Sequence, residues 1–366
     1  MADPTTSAPP SAGKRYVALD GLRGFAVLLV FCVHAAGNAA SAFLGTNLDT
    51  TTFVAPHTTG ERLLFWLHRS HHGVFLFYVL SGFLIGKMWW PRQALAYRTF
   101  VLRRTRRIYP AFLLAFGASL LFAYGSDNWQ PPDWPRVAGN LLFLNGLPDS
   151  PVMPFNTVTW SLFYEMVFYF TFPWLLLGAM RIFPGRARWL AAMGIALPAL
   201  AVLAGANSLH LSWSLLFFGV AAAMGEARLV AAARRVPVTL VAAAYLVVTT
   251  QGLFDFLPAV PAILAFGAAT VLVLGKCCAA DNAMATLLSS HPAVWLGRVS
   301  YSFYLLHWMI VVLVARWLAP QRDALGALGG TVVLFATGFL LSAIAATVSW
   351  WLVERPYFAA LHVRQS

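Results

Sequence analysis

Residues 17–36 read VALDGLRGFAVLLVFCVHAA, an apolar run long enough for one membrane-spanning helix that nevertheless contains Asp20, Arg23 and His34. A helix rises about 1.5 Å and turns about 100° per residue, so Arg23 and His34 lie roughly 16 Å apart on nearly the same face. Ionisable groups in hydrocarbon cost roughly 2.5–3.5 kcal/mol each and usually face the protein interior or a water-filled path. We expect Asp20 to anchor the cytosolic end of the helix. Arg23 fits an anchor or a functional group equally well, whereas His34 lies far from both ends and is predicted to be functional.

The composition of the whole chain agrees with a membrane setting. Its 366 residues are 60% apolar and only 10% charged, with a mean hydropathy of +0.70, whereas a soluble domain has about 25% charged residues. The net charge of +12 does not indicate a nucleic-acid-binding surface, because the basic residues lie between apolar runs and form no soluble basic face. We therefore expect membrane lipids, and no nucleic acid, around this chain.

The apolar runs predict an all-α, polytopic membrane protein of about ten transmembrane helices with both termini in the cytosol. Each run is long enough, or nearly so, to cross roughly 30 Å of hydrocarbon. They cover residues 17–37, 72–90, 108–125, 157–179, 189–206, 211–225, 236–254, 259–275, 299–318 and 327–353. With this topology nineteen of the 25 Lys and Arg residues lie on the cytosolic side, five lie outside, and Arg23 lies within the first span. The positive-inside rule requires such a bias.

The remaining segments are predicted to be a tail and loops. Residues 1–14 are expected to form a disordered cytosolic tail, and residues 15–360 a single transmembrane domain. Two long outer loops, about 38–71 and 126–156, are expected to cover a site. Three histidines of the first loop are interpreted as a solvated cluster, because no carboxylate or cysteine accompanies them at metal-ligand spacing: His68, His71 and His72. We therefore predict no metal site. The three cysteines of the chain lie in or beside apolar runs, so we predict no disulfide framework either.

A cluster of arginines precedes the third apolar run. Residues 103–110 read RRTRRIYP, and the helical spacing places Arg103 with Arg107, or Arg103 with Arg106, on one side. Arginines at a cytosolic membrane edge often serve only to orient the chain. Four in five positions exceed that need, and guanidinium groups bind phosphate in a bidentate manner. The cluster therefore favours a cytosolic ligand that carries phosphate.

Three further polar insertions interrupt the apolar runs. Glu165 lies in residues 159–169, TWSLFYEMVFY, towards the outer part of its span, where a carboxylate needs a partner or water. His307 ends residues 300–307, SYSFYLLH, near the middle of the bilayer, with Tyr304 one turn below it. A buried structural role and a role in the chemistry fit His307 equally. Glu354 and Arg355 precede Pro356, which is expected to end the last helix, and both are interpreted as structural.

Taken in order along the chain, these motifs resemble the acyltransferase 3 family of integral-membrane O-acyltransferases. The resemblance covers about residues 15–360. It is carried by LDGLRG at 19–24 with His34, FYVLSGFL at 77–84, the arginines before Pro110, WSL at 160–162 with Glu165, YSFYLLH at 301–307 and ERP at 354–356. The family often has an acidic residue shortly before its span-two aromatic pair, where this chain has Phe75.

The resemblance implies a donor and an acceptor on opposite sides of a bacterial cytoplasmic (inner) membrane. The donor is an acyl-coenzyme A, with acetyl expected, on the cytosolic side. The acceptor is a hydroxyl of a cell-surface or lipid-linked glycan. His34 is assigned as general base, because an imidazole with an ordinary pKa near 6.5 suits that role. Arg23 is expected to orient the donor or stabilise developing charge, and Glu165 to orient His34 or the acceptor.

Six residues are assigned to donor binding: Arg103, Arg104, Arg106, Arg107, Tyr304 and His307. No serine or cysteine stands out as an acyl-carrying nucleophile, so direct transfer is favoured over a covalent intermediate. A macrolide or another small molecule is the alternative acceptor. A transporter or flippase is the competing class, since polar groups at mid-bilayer also mark substrate pathways. Paired, repeated halves with broken helices would favour a transporter, and the sequence has no such repeat.

Overall fold

A computed structural model describes residues 16–46, 48, 59–69, 72–89, 97–124, 134–182, 212–250 and 259–357. Within these ranges the chain is all-α and has no β-strand. The predicted tail and the predicted span at 189–206 lie outside the described residues.

The α-helices of the described ranges are numbered in chain order. They are α1 Val17–Ala39, α2 Thr59–Arg69, α3 His72–Trp89, α4 Tyr97–Tyr124, α5 Trp134–Leu141, α6 Trp160–Ile182, α7 Leu215–Met224, α8 Glu226–Arg235, α9 Val238–Thr249, α10 Ala259–Ala279, α11 Ala283–Leu288, α12 His291–Leu318 and α13 Arg322–Ser349. Wider π-type turns follow α1 and α13, at Ala40–Leu44 and Trp350–Glu354. Short 3₁₀ turns lie at Leu144–Gly146, Thr157–Thr159, Ser212–Ser214 and Ala319–Gln321.

Six stretches of the described chain are long and apolar enough to cross a membrane: Val17–Leu44, Gly60–Trp89, Tyr97–Tyr124, Thr157–Gly178, Pro261–Ala279 and His291–Tyr357. A seventh is obtained if α7 and α8, which meet at a 90° bend, are counted together with the turn before them as one span. The all-α membrane fold predicted from the sequence is therefore confirmed. The number of ten spans and the cytosolic position of both termini stay predictions.

The last of these stretches folds back on itself, because α12 and α13 run antiparallel. Ser302 contacts Ser349 near one end of the pair, and Gly338 faces Val311 farther along it. Helix α1 runs parallel to α12 and packs closely against it. A Cβ atom added at Gly297 would lie 1.7 Å from the backbone oxygen of Asp20, so only glycine permits this approach of the two backbones. Small residues at such contacts are typical of membrane helices.

Several segments differ from the sequence prediction. Both long outer loops contain a helix, α2 in the first and α5 in the second. The prediction of a solvated histidine cluster was wrong for His68 and His72, which are buried. His68 contacts the backbone oxygen of Val33 on α1, and His72 stacks on Phe266 of α10. His71 lies outside the described residues. The loop interpretation missed the apolar residues 63–67, LLFWL, which lie between polar residues of α2.

Candidate active site

Helix α1 contributes polar side chains to two separate cavities. The first, here called the basic cavity, has a volume of about 90 Å³ and is lined by Arg23 near the start of the helix. The second, here called the histidine cavity, has a volume of about 470 Å³ and is lined by His34 near its end. The predicted common face of Arg23 and His34 thus looks into the protein, and each residue opens onto a different chamber.

Helices α3, α4, α6 and α12 supply the rest of the basic cavity. Its polar lining groups are Arg23, Tyr78, Ser81, Arg104, Arg107, Ser161, Glu165, Tyr169, Ser300, Tyr301 and Tyr304. The Arg23 side chain interacts electrostatically with Arg107, Glu165 and Glu354. Three guanidinium groups thus share this region with two carboxylates. Charge partly balanced in this way is the condition under which ionisable groups persist inside a membrane protein.

The arginine cluster of the sequence lies on one continuous helix, α4, and its members point in different directions. Arg104 and Arg107 are half-buried and line the basic cavity, whereas Arg103 and Arg106 are exposed. The Arg104 guanidinium lies 5.6 Å from the ring centre of Tyr169, within the range of a cation–π contact. The pair that reaches the cavity is therefore spaced three residues apart, as one face of a helix requires.

Glu354 belongs to this region although the sequence analysis treated it as structural. It is buried, and its carboxylate accepts a hydrogen bond from the Ser302 hydroxyl at 2.6 Å. It also interacts electrostatically with Arg23 and Arg107. The wider turn at Trp350–Glu354 carries Glu354 at its end. An acidic residue at the edge of a long apolar run was the available signal. The neighbouring Arg355 lies over Trp351, 3.8 Å from the ring centre.

The histidine cavity is wider and aromatic. Besides His34 its wall includes Asn38, His68, Trp160 and Trp308. Its volume is about five times that of the basic cavity. Concave sites that combine aromatic walls with a few polar groups are typical of binding sites for organic ligands. This cavity therefore offers more free volume to a bulky group than the basic cavity does.

Tyr304 and Val74 line both cavities and therefore lie between them. The Tyr304 hydroxyl donates to the backbone oxygen of Val158 at 2.6 Å and lies 2.7 Å from the Ser161 hydroxyl. The backbone oxygen of Ser161 in turn accepts a hydrogen bond from Tyr78 at 3.3 Å. A hydrogen-bonded layer thus separates the arginines from the histidine. A group passed directly from one cavity to the other would pass Tyr304 and Val74.

His307 is fully buried behind His34 and belongs to the wall of neither cavity. The two imidazole rings are 5.1 Å apart between centres and tilted by 52°. The predicted contact of His307 with a donor therefore finds no support in its position, although Tyr304 is placed where a donor could reach it.

The structure brings together some of the predicted site residues and separates others. Arg23, Glu165, Arg104 and Arg107 share the basic cavity. Glu165 and His34 line different cavities, and the role of Glu165 in orienting His34 or the acceptor stays a prediction. The exposed positions of Arg103 and Arg106 leave their part in binding a prediction. Among the described residues there is no group of three or more His, Cys, Asp or Glu side chains placed to hold a metal ion.

Comparison with known proteins decides the family. The family model described as an acyltransferase domain matches residues 16–354. The chain belongs to the acyltransferase 3 family. It is therefore a multi-pass membrane acyltransferase that transfers groups other than aminoacyl groups, and the family predicted from the sequence is confirmed.

Two curated relatives agree with this membership. The chain is 29% identical over 330 residues to "Acyltransferase MdmB" of Streptomyces mycarofaciens, with 82% of this chain and 80% of the relative covered. It is 26% identical over 384 residues to "Putative peptidoglycan O-acetyltransferase YrhL" of Bacillus subtilis (strain 168). That match covers 93% of this chain and 55% of the relative, so the chain spans about half of that protein. No solved structure matches the chain.

Proposed function

We propose that this acyltransferase moves an acyl group, acetyl in the first instance, from acyl-coenzyme A to a hydroxyl of a cell-surface or lipid-linked glycan across a bacterial cytoplasmic membrane. The observation that carries the proposal is the pair of cavities that meet at Tyr304. One cavity is basic and narrow, and the other is aromatic and wide. Two substrates of different chemistry can therefore approach one point from opposite sides.

The basic cavity suits the donor. Coenzyme A carries phosphates, and Arg104 and Arg107 are the kind of group that binds phosphate strongly. The narrowness of the cavity fits the slender thioester arm, while the bulky nucleotide stays at its mouth near the exposed Arg103 and Arg106. Arg23 lies deeper on α1, where its charge can orient the arm or stabilise negative charge that develops on the thioester oxygen. Glu165 and Glu354 hold the arginines in place.

The histidine cavity suits the acceptor. Trp160 and Trp308 offer flat apolar faces, and Asn38 and His68 add polar edges, a combination that matches a sugar ring. The relative named as a peptidoglycan O-acetyltransferase supports a glycan acceptor. In the proposed step a ring nitrogen of His34 takes the proton of the acceptor hydroxyl. The hydroxyl oxygen then bonds to the thioester carbon, the carbon–sulfur bond breaks, and the proton passes to the departing thiolate.

Sidedness tests this proposal. In sealed inside-out vesicles, acyl-coenzyme A added to the medium should acylate a glycan acceptor trapped in the lumen. His34→Ala should abolish the transfer, because removing a general base costs about 10²–10⁴-fold in rate. The exposed His291, at the start of α12, is the matched control, and His291→Ala should leave transfer unchanged.

Three outcomes would contradict the proposal. Transfer that needs both substrates on the cytosolic face would favour a macrolide or another small molecule made in the cytosol as the acceptor. Near-normal turnover of His34→Ala, at matched protein level, would remove His34 from the base role. Movement of an acceptor across the membrane without acylation would favour the transporter or flippase.

A further inference from the structure

The His307 ring has two nitrogens in different surroundings. Nδ1 lies 2.8 Å from the backbone oxygen of Tyr304 and 3.1 Å from that of Phe303. Because both neighbours are acceptors, Nδ1 must carry the hydrogen, and Nε2 is then the acceptor of the neutral ring. The ring also stacks on Phe303, with centres 5.9 Å apart and planes 16° from parallel. Its orientation is therefore fixed by its own helix.

Nε2 of His307 is buried and has no hydrogen-bond partner in the described part of the chain. A buried acceptor without a partner is costly, and each such atom in a protein calls for a reason. The His34 ring on α1 lies next to it, with ring centres 5.1 Å apart. Hydrogen bonds at active sites are often long before substrates bind and shorten in the reactive complex.

We propose that His307 is a positioning residue for His34: its Nε2 accepts a hydrogen bond from one ring nitrogen of His34 and directs the other into the histidine cavity. This inference rests on the proposed function, in which His34 is the base. A base must present an unprotonated nitrogen to the substrate, so its other nitrogen must keep its hydrogen. An acceptor behind the ring selects that tautomer and stabilises the imidazolium once the proton arrives.

Two substitutions separate this role from a purely structural one. The terminal amide of glutamine reaches the place of Nε2, so His307→Gln keeps an acceptor behind His34. The shorter asparagine reaches the place of Nδ1, so His307→Asn keeps only the bond to the Tyr304 backbone. We expect His307→Gln to stay within about tenfold of the normal kcat and His307→Asn to lose about 100-fold, with the KM of both substrates unchanged.

A higher kcat for His307→Asn than for His307→Gln overturns the inference. Asparagine keeps the bond to the Tyr304 backbone, so it is the better replacement for a histidine that only stabilises its own helix. Equal losses in two variants with normal Tm overturn it as well. If His307→Gln lowers the Tm, His307→Ala with added imidazole decides: recovery of kcat supports the role, and no recovery overturns it. His34→Ala is measured in parallel. Activity in that variant contradicts the proposed function. If His34→Ala is inactive but His307→Asn keeps more of the normal kcat than His307→Gln, only this inference is contradicted.

Discussion

At the scale of single residues, α4 divides four neighbouring arginines between two environments. Arg104 and Arg107 are half-buried at the basic cavity, and Arg103 and Arg106 are exposed. A charge held in a cavity of low dielectric interacts strongly with a bound anion, whereas an exposed charge is screened by water and salt. The inner pair is therefore expected to dominate phosphate binding, although all four residues have the same chemistry.

The Arg104→Gln, Arg107→Gln variant should raise the apparent Kd for acyl-coenzyme A by about 100-fold, since each charge-assisted hydrogen bond contributes about 1.5–3 kcal/mol. The Arg103→Gln, Arg106→Gln variant should change it several-fold only. Arg228→Gln, Arg235→Gln is the control with the same charge change, because both residues are exposed on α8. Binding is measured by competition on purified protein. An unchanged Kd in the Arg104→Gln, Arg107→Gln variant would show that these arginines only orient the chain in the membrane.

At the scale of helices, the contact between α1 and α12 places His34 beside His307. The backbones approach so closely that Gly24 of α1 and Gly297 of α12 have no room for a side chain. Farther along, Phe31 meets Phe303 edge to face, with ring centres 6.0 Å apart. The parallel pairing of α1 and α12 fixes the positions of His34 and His307 along the two helices. We therefore expect a displacement at Gly24 or Gly297 to shift the two histidines relative to each other.

Gly297→Ala should lower the Tm in detergent and reduce transfer, because the added Cβ would lie 1.7 Å from the backbone oxygen of Asp20. Overpacking of this kind costs about 1–3 kcal/mol, and here rigid backbone must move. Gly117→Ala on α4 is the matched control, since a Cβ there meets nothing within 4 Å. That variant should keep its activity and keep or slightly raise its Tm. Equal Tm values for the two variants would contradict the close contact.

At the scale of the whole molecule, one network ties three helices at the end opposite the histidine cavity. Lys87 of α3 forms an ion pair with Glu226 of α8 at 2.7 Å, and the Tyr16 hydroxyl before α1 donates to the same carboxylate. Burial, and then the hydrogen bond to Glu226, raise the pKa of Tyr16 above its ordinary value, so the phenol keeps its donor hydrogen. On the predicted orientation this end faces the cytosol.

Cysteine labelling tests that orientation. Met153→Cys, in the exposed segment between α5 and α6, should react with a membrane-impermeant maleimide in intact cells. Asp281→Cys, in the exposed turn between α10 and α11, should react only after the membrane is permeabilised. The unsubstituted chain, which has the partly buried Cys32 and the buried Cys277 and Cys278, gives the background labelling. The opposite labelling pattern would indicate the inverted orientation, with the arginines of α4 at the outer face of the membrane.

Local patterns predicted the helices and several residues that line the cavities, whereas contacts between distant segments did not follow from them. Arg23 and His34 could be found because charge inside an apolar run is costly wherever the run packs. The nearness of Glu354 to Arg23 depends on the antiparallel return of α13 and on a wide turn that no spacing rule anticipates. The placement of Glu165 and His34 in two cavities that share Tyr304 likewise could not be read from sequence spacing.

The hydrogen bonds at Tyr304 also bear on whether ions leak through the protein across the membrane. A protein with aqueous chambers at both membrane faces risks conducting ions, and the free energy of one elementary charge changes by about 2.3 kcal/mol per 100 mV of membrane potential. The bonds from Tyr304 to Val158 and Ser161 lie where the two cavities meet and join groups that carry no charge. A neutral thioester can approach this layer, whereas a hydrated cation would have to shed its water there. We therefore expect the same few bonds to limit the leak of ions between the two cavities.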